Sequence, residues 1–272
     1  MNLITCMHTQ SDCYGQYRQS VEQVGIVVHS TGANNTSIAR YSQPSTDDPN
    51  RTKLLNTIGT NKYGNHWNRA GVQKAVHYMI GKIKDGSVAT VQNLPEDIAA
   101  WGVGRGSKGS YNYDPTAHIQ FECCEDGLTN ETYFNVVYKE ATELCADICF
   151  RHNWNSDVIC SHKEAAQRGY ASSHADIDHW LGKFGKTMND FRAEVQRLLD
   201  IKRKPEEVTY VPKVGDTVNF VGTTHYRNAN AASGYTCVPG LAYVSRIYPG
   251  KHPYLLKPIK GSKSTVNGWV DT

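Results

Sequence analysis

The length, composition and charge of the chain exclude several classes of protein. Its 272 residues include 29 lysines and arginines against 26 aspartates and glutamates, which gives a formal charge of +3. A charge so near zero does not predict the basic surface with which proteins capture nucleic acid. Hydrophobic residues make up 39% of the chain, enough for a packed core. No segment approaches the ~18 consecutive apolar residues of a membrane span. We expect a soluble globular protein with no nucleic-acid partner and no membrane insertion.

Two features of the sequence bear on its compartment. Residues 1–13 lack the basic head, apolar stretch and cleavage site of a secretory signal, which predicts cytoplasmic synthesis. Eight cysteines are present, but a chain of this length does not need disulfide bonds. The neighbours Cys123 and Cys124 also alternate faces of a predicted strand, so we expect mostly buried free thiols in a reducing compartment. The absence of a Cys-x-x-Cys pair disfavours a zinc finger.

Residues 1–200 mix strand and helix patterns in the manner of an α/β domain. Five segments have the apolar or alternating pattern of strands: residues 24–29, 75–80, 87–92, 117–124 and 158–160. The turn at residues 84–86 joins the second and third of these as a hairpin. Apolar residues recur at helical spacing over residues 134–149, after a cap at Thr129 or Asn130, and again over residues 188–199. We therefore predict a mixed central sheet flanked by helices.

The composition changes after residue 200. Residues 201–213 carry mixed charge and two prolines and are predicted to form a linker. Residues 214–272 contain short strand-like stretches, such as 217–221 and 241–247, and no helical period. We predict a small all-β domain there, separate from an α/β domain over residues 1–200.

Histidines and carboxylates stand where strands end. His29 closes the predicted buried strand at 24–29, His162 comes just after the strand at 158–160, and residues 173–180 contain four further imidazole or carboxylate groups. A hydrolytic zinc ion needs three protein ligands and one open water position. His29, His162 and either His174 or Asp176 provide such a set. The alternative is that these histidines lie on the surface or cap helices.

Five stretches, in this order over residues 24–191, carry a resemblance to a known family. They are Val-Val-His-Ser-Thr-Gly-Ala-Asn-Asn at 27–35, Val-His-Tyr-Met-Ile-Gly-Lys at 76–82 with Asp-Gly-Ser at 85–87, His-Ile-Gln-Phe-Glu at 118–122, Ser-His at 161–162, and His-Ala-Asp at 174–176 with His-Trp at 179–180. Together they resemble the zinc-dependent N-acetylmuramoyl-L-alanine amidases of type 2, a family that includes peptidoglycan recognition proteins and phage endolysins. Within that family, the five stretches of this chain are most similar to those of prophage endolysins from clostridia-like Gram-positive hosts.

The resemblance implies a Zn²⁺ cofactor and a set of catalytic residues. By position, His29, His162 and Asp176 would hold the metal. His174 stands where the family often has a lysine, and as a histidine it is an alternative ligand to Asp176. Glu122 matches the general base of those family members that use a glutamate. Other members use a tyrosine at the position that is Val76 here, so the departure favours Glu122. We assign Glu122 and His174 to catalysis.

The resemblance also implies a substrate groove. Trp101 would stack on a sugar ring or fill the core, and Gly102 stands where many relatives have a histidine. Asn35, in the loop after His29, and His118, on the strand of Glu122, are the other residues that we assign to substrate binding. The expected substrate is the peptidoglycan of Gram-positive cell walls, and the expected reaction is hydrolysis of the amide between the lactyl group of N-acetylmuramic acid and L-alanine. A holin is the implied partner for release to the wall.

The C-terminal domain has its own resemblance. Val-Gly-Asp-Thr-Val at 214–218 and Gly-Trp-Val at 268–270 are similar to the opening and closing strands of bacterial SH3-like domains. Its tyrosines suit stacking on sugars or peptides, although several are also suited to a small core. We predict that residues 214–272 form an SH3-like barrel that binds the cell wall and keeps the amidase near its substrate.

Two other functions fit parts of the sequence. A non-catalytic peptidoglycan-binding recognition protein would share the fold, but such proteins lack a metal ligand, and His29, His162 and Asp176 are all present. A zinc peptidase that cuts within the stem peptide would use similar carbonyl chemistry. The chain has no His-Glu-x-x-His, the helical motif of the commonest zinc peptidases.

Overall fold

The computed structural model describes residues 1–204 and 210–271. It divides the chain into two compact units, Met1–Pro205 and Glu206–Thr272. In the described residues no helix is long and apolar enough to cross a membrane. All eight cysteines are buried free thiols.

A six-stranded mixed sheet forms the centre of the first unit. Its strands are β1 Leu3–Thr5, β2 Gly25–Ser30, β3 Tyr78–Lys82, β4 Val88–Gln92, β5 His118–Cys123 and β6 Ile159–Ser161, in the spatial order β1-β4-β3-β5-β2-β6. β2 is parallel to both β5 and β6, and β5 is parallel to β3. β3 and β4 form the predicted antiparallel hairpin. The predicted mixed sheet flanked by helices is confirmed.

Five α-helices accompany the sheet in the first unit. They are α1 Arg51–Ile58, α2 Glu131–His152, α3 His162–Arg168, α4 Asp178–Lys183 and α5 Met188–Arg203, with 3₁₀ turns at Ile38–Arg40 and Ser156–Val158. Of the two predicted caps for α2, Asn130 is the one used, because its side chain accepts the backbone N–H of Tyr133 at 2.9 Å. The first three residues of the predicted linker 201–213 continue α5. Residues 205–209 of that linker lie outside the described residues.

The sheet is buried on both faces. Because side chains alternate along β2 and β5, one face of these strands packs in the hydrophobic core and the other carries the polar residues described below. Ile26 and Val28 on β2, with Ile119 and Phe121 on β5, face the core that α2 and α5 cover. The intervening residues point to the opposite face because side chains in a strand alternate. That face carries His29 on β2 and Glu122 on β5, which are direct partners in the parallel register.

A partly exposed polar cluster connects α2 to the sheet at a different place. Glu96, which follows β4, accepts two hydrogen bonds from the Arg151 guanidinium at 2.6 and 2.8 Å and one from the Tyr78 hydroxyl at 2.5 Å. Burial acts to raise the pKa of Glu96, but these bonds lower that pKa to about 2. The last turn of α2 is thereby held by a charged pair as well as by apolar packing.

The second unit is all-β. Four strands, β7 Thr217–Phe220, β10 Gly240–Ile247, β11 Tyr254–Pro258 and β12 Gly268–Val270, form an antiparallel sheet in the order β12-β11-β10-β7, and β8 Thr224–His225 pairs with β9 Tyr235–Thr236. Among the described residues β7 and β12 do not pair, so this sheet is open. Its small core includes Val244, Leu256 and Val270. A mainly apolar cavity of about 460 Å³ opens beside that core.

Candidate active site

The candidate site lies at the carboxyl ends of three parallel strands. His29 is the penultimate residue of β2, Glu122 lies beside it on β5, and His162 directly follows β6. The carboxyl ends of parallel strands meet at one edge of a sheet, where ligand sites commonly form. The topology therefore explains how residues more than 90 positions apart in sequence come together.

The start of α3 fixes the backbone at His162. Ser161 caps the helix by accepting the backbone N–H of Glu164 at 3.1 Å, and the Glu164 carboxylate accepts the N–H of Ser161 at 3.1 Å. Arg192 on α5 donates two hydrogen bonds to the same carboxylate, at 2.8 and 3.0 Å. This reciprocal cap and its charged anchor set the direction in which the His162 side chain leaves the helix.

Three side-chain atoms lie close enough together to share one metal ion. His29 Nδ1 lies 3.0 Å from His162 Nδ1 and 3.2 Å from Asp176 Oδ2, and His162 Nδ1 lies 3.5 Å from the same oxygen. Metal–ligand bonds of ~2.0–2.1 Å in a tetrahedron place ligand atoms about 3.3–3.4 Å apart. The observed triangle has those dimensions, and two imidazoles with one carboxylate are a ligand set that zinc accepts. The residues present therefore fit the metal that the sequence implies.

The charge states of this cluster also suit a metal. Burial lowers the pKa of His29, with partial opposition from Asp176, so the ring is neutral and its nitrogen can act as a ligand. Burial acts to raise the pKa of Asp176, but the neighbouring imidazole rings of His162 and His29 hold that pKa well below its usual range. A neutral imidazole and an ionised carboxylate are the states that coordination requires.

Glu122 has an unusual environment. Its Oε2 atom is buried and has no hydrogen-bond partner in the described part of the chain. Burial, followed by the nearby carboxylates Asp176 and Glu125, raises the pKa of Glu122 well above its ordinary value, while Lys74 opposes the shift. A carboxylate with a raised pKa is a stronger base, and an unpartnered oxygen is free to receive a proton.

His174 lies beside the three converging atoms and outside their triangle. Its Nδ1 is 3.7 Å from Oδ1 of Asp176, the oxygen that faces away from His29, and its ring stacks on His162 at 4.6 Å. The His174 side chain is 59% exposed. In the residues described, the groups that meet within ligand distance are His29, His162 and Asp176.

A cavity of about 340 Å³ surrounds these groups. Of the three residues assigned to substrate binding, the structure brings only Trp101 to its lining. Asn35 shapes its own loop, since its side chain accepts the backbone N–H of Ser37 at 3.0 Å. His118 stacks on Tyr111 at 3.8 Å, away from the cavity. Four residues along a strand span about 13 Å, which is why the common face of His118 and Glu122 does not bring them into one site.

Sequence reasoning missed several lining residues. Trp67, Gln73, Lys74, Thr31 and Ser172 all line the cavity. They come from loops between the predicted elements, where no periodicity signals a direction for the side chain. The bridge between Ala75 and Trp101, whose N–H groups and carbonyls pair at 2.8 and 3.4 Å, holds the loop of Gln73 and Lys74 next to Trp101.

Comparison with known proteins identifies the family. The family model described as N-acetylmuramoyl-L-alanine amidase matches residues 19–177. The chain belongs to this amidase family. The match spans more than half of the chain and includes His29, Glu122, His162 and Asp176. No curated protein matches the chain.

Several solved structures are similar to this chain, at low sequence identity. The Staphylococcus aureus hydrolase AmiA in complex with its ligand is 14% identical, with 74% of this chain and 83% of that chain covered and a TM-score of 0.47. The catalytic domain of XlyA is 18% identical, with 72% and 99% covered and a TM-score of 0.44. A mutant endolysin from Bacillus subtilis is also 18% identical, with 72% and 99% covered and a TM-score of 0.43. At these identities the amidase assignment rests on the family match.

Proposed function

We propose that the protein is a zinc-dependent peptidoglycan amidase of the endolysin type. It would hydrolyse the amide bond between the lactyl group of N-acetylmuramic acid and L-alanine of the stem peptide. The observation that carries this proposal is the convergence of His29, His162 and Asp176 beside the unpartnered carboxyl group of Glu122. A metal site next to a base with a raised pKa, inside an open cavity, has the parts that amide hydrolysis needs.

Each residue of the site would have a separate role in the hydrolysis. His29, His162 and Asp176 would hold the zinc ion, which when bound lowers the pKa of a water molecule and polarises the scissile carbonyl. Glu122 would accept the proton of the attacking water and transfer it to the leaving nitrogen of L-alanine. His174, at the cavity edge next to Asp176, would donate a hydrogen bond to the oxygen that becomes negative during attack.

The second unit would bind the cell wall as an SH3-like domain. Its four-stranded antiparallel sheet is consistent with this assignment, and Tyr235, Tyr243 and Tyr248 are exposed. Exposed tyrosines offer ring faces to sugars and a hydroxyl to polar groups. Tethering the amidase to the wall would raise the local concentration of its substrate. We further propose that a prophage of a clostridia-like host carries the protein and that a holin releases it to the wall.

The products formed from purified Gram-positive peptidoglycan test this function. We expect new L-alanine amino termini on intact stem peptides, identified by mass spectrometry, which disappear with a chelator and return with zinc. Glu122→Gln protein is the control for contaminating hydrolases. Binding to peptidoglycan without new termini would replace the enzyme with a recognition protein. New termini inside the stem peptide would make it a peptidase.

A further inference from the structure

We propose that Gln120 is a positioning residue that sets the tautomer and orientation of the metal-binding His29 ring. We also propose that Gly102 has no side chain because Gln120 occupies that space. The inference rests on the metal site proposed above, and it concerns two residues outside the expected ligand set to which the sequence assigns no catalytic or binding role.

Gln120 reaches His29 from the neighbouring strand. It lies on β5 between the core residues Ile119 and Phe121, so its side chain points to the opposite face, and it is fully buried. Its Oε1 atom is 3.3 Å from Nε2 of His29. The Nε2 atom is the ring nitrogen that faces away from His162 and Asp176, whereas Nδ1 faces them.

The orientation of the Gln120 amide is fixed by a chain of hydrogen bonds that ends on backbone. Asn112 Oδ1 accepts the N–H of Val103 at 3.3 Å, and Asn112 Nδ2 donates to the Val103 carbonyl at 2.8 Å. The backbone therefore decides which end of the Asn112 amide is the oxygen. Gln120 Nε2 donates to that oxygen at 2.9 Å and to the Tyr111 carbonyl at 3.4 Å. Only Oε1 of Gln120 is then left to face His29.

This orientation has a direct consequence for the metal site. An amide oxygen can only accept, so the His29 nitrogen that faces it must carry the proton. The proton is thereby kept on Nε2, and the lone pair of a neutral ring is kept on Nδ1, which points at His162 and Asp176. A ligand histidine whose other nitrogen donates to a fixed acceptor is pre-oriented for its metal.

Gly102 supplies the space for this arrangement. A Cβ atom at position 102 would lie 2.3 Å from Oε1 of Gln120 and 3.0 Å from Cγ1 of Val76. A Cβ atom cannot lie 2.3 Å from an oxygen, so Oε1 would have to move, and Gln120 has little room to move because its Nε2 donates to Asn112. The backbone of Gly102 needs no positive φ, so the requirement for glycine here is one of space.

The affinity of the metal-free protein for zinc, measured by competition with a chromophoric chelator, tests the inference. We expect Gln120→Leu to weaken zinc binding about 10–100-fold, the usual cost of losing a hydrogen bond to a ligand histidine. Gly102→Ala should also weaken binding, by about tenfold, because it displaces Oε1. The double variant should bind no more weakly than Gln120→Leu alone, since both changes act on one hydrogen bond.

Two controls separate positioning from damage to the fold. Gly182→Ala is the matched control, because a Cβ atom there meets nothing within 4 Å, and its zinc affinity should equal that of the wild type. Urea unfolding of each metal-free variant shows whether the folded state persists under the conditions of the titration.

The outcomes that overturn the inference are specific. Gln120→Leu that binds zinc within twofold of the wild type would overturn it. So would losses that add fully in the double variant, because Gly102 would then act independently of Gln120. Wild-type protein that binds no zinc would instead overturn the proposed function, so the two failures are distinguishable.

Discussion

Replacement of Glu122 by glutamine removes the proposed base with little other change. Glutamine has nearly the same volume, and the Oε2 atom that it replaces has no hydrogen-bond partner in the described residues, so the substitution breaks no visible contact. We expect the metal site and the fold to persist. A general base contributes about 10²–10⁴-fold to a rate, which corresponds to roughly 3–5.5 kcal/mol of activation free energy. We therefore expect kcat to fall by that factor with KM nearly unchanged.

A matched control for this substitution lies three residues away. Glu125 is also buried near the end of β5, but its Oε1 has two partners, His179 Nε2 at 3.0 Å and the backbone N–H of Gly32 at 3.1 Å. Glu125→Gln should retain activity within about threefold and lose about 1 kcal/mol of stability, because it weakens a structural contact.

The assay is hydrolysis of a soluble N-acetylmuramoyl-L-alanyl peptide, with kcat and KM measured for both variants and zinc content checked in each. If Glu122→Gln keeps more than a tenth of the wild-type kcat, or falls no further than Glu125→Gln, Glu122 is not the base.

Three further predictions concern other parts of the structure. Glu96→Gln should remove about 2 kcal/mol of stability at neutral pH, less than the full pKa shift implies because the Arg151 side chain is 42% exposed. Because the pKa of Glu96 is lowered to about 2, the Glu96 carboxylate contributes fully to the free energy of unfolding above about pH 4.5 and loses this contribution as the pH falls toward 2. The free energy of unfolding of the variant, measured with urea, should lack that part of the pH dependence. The His174→Ala variant should bind zinc with an affinity within threefold of the wild type, yet its kcat should fall by about 10–100-fold. The Asp176→Asn variant should instead fail to bind zinc. If both variants lose zinc equally, His174 is a ligand. Phe134→Ala should cost about 3–5 kcal/mol in urea unfolding, since the ring is 2% exposed in the core, and a cost below 1 kcal/mol would contradict that packing.

The sequence predicts those parts of the fold that have strong local periodicity. The strand at 24–29, the hairpin at 75–92 and the helix over 134–149 all correspond to elements of the structure. β1 was not predicted, because three residues are too few to show alternation, and its pairing with β4 is a contact between distant segments. Helix α1 was also missed, since its pattern is short and mostly polar.

The site shows the same division between local and distant information. Histidines at strand ends can be recognised along the chain, and the structure does bring His29, His162 and Asp176 together. The hydrogen-bond chain from Asn112 through Gln120 cannot be read from spacing, because each link joins a loop to a strand or one strand to another. The resemblance leads us to expect a histidine at position 102, whereas in the structure a Cβ atom at Gly102 would lie 2.3 Å from Oε1 of Gln120.

The coupling of zinc content to hydrolysis tests the central claim most directly. We would remove metal from the whole chain, add zinc in fractions of one equivalent, and measure release of L-alanine amino termini from N-acetylmuramoyl peptide at each step. The account predicts no activity at zero zinc, a linear rise, and a plateau at one zinc ion per chain. Full activity in the metal-free protein, or no activity with one zinc ion bound, would contradict it.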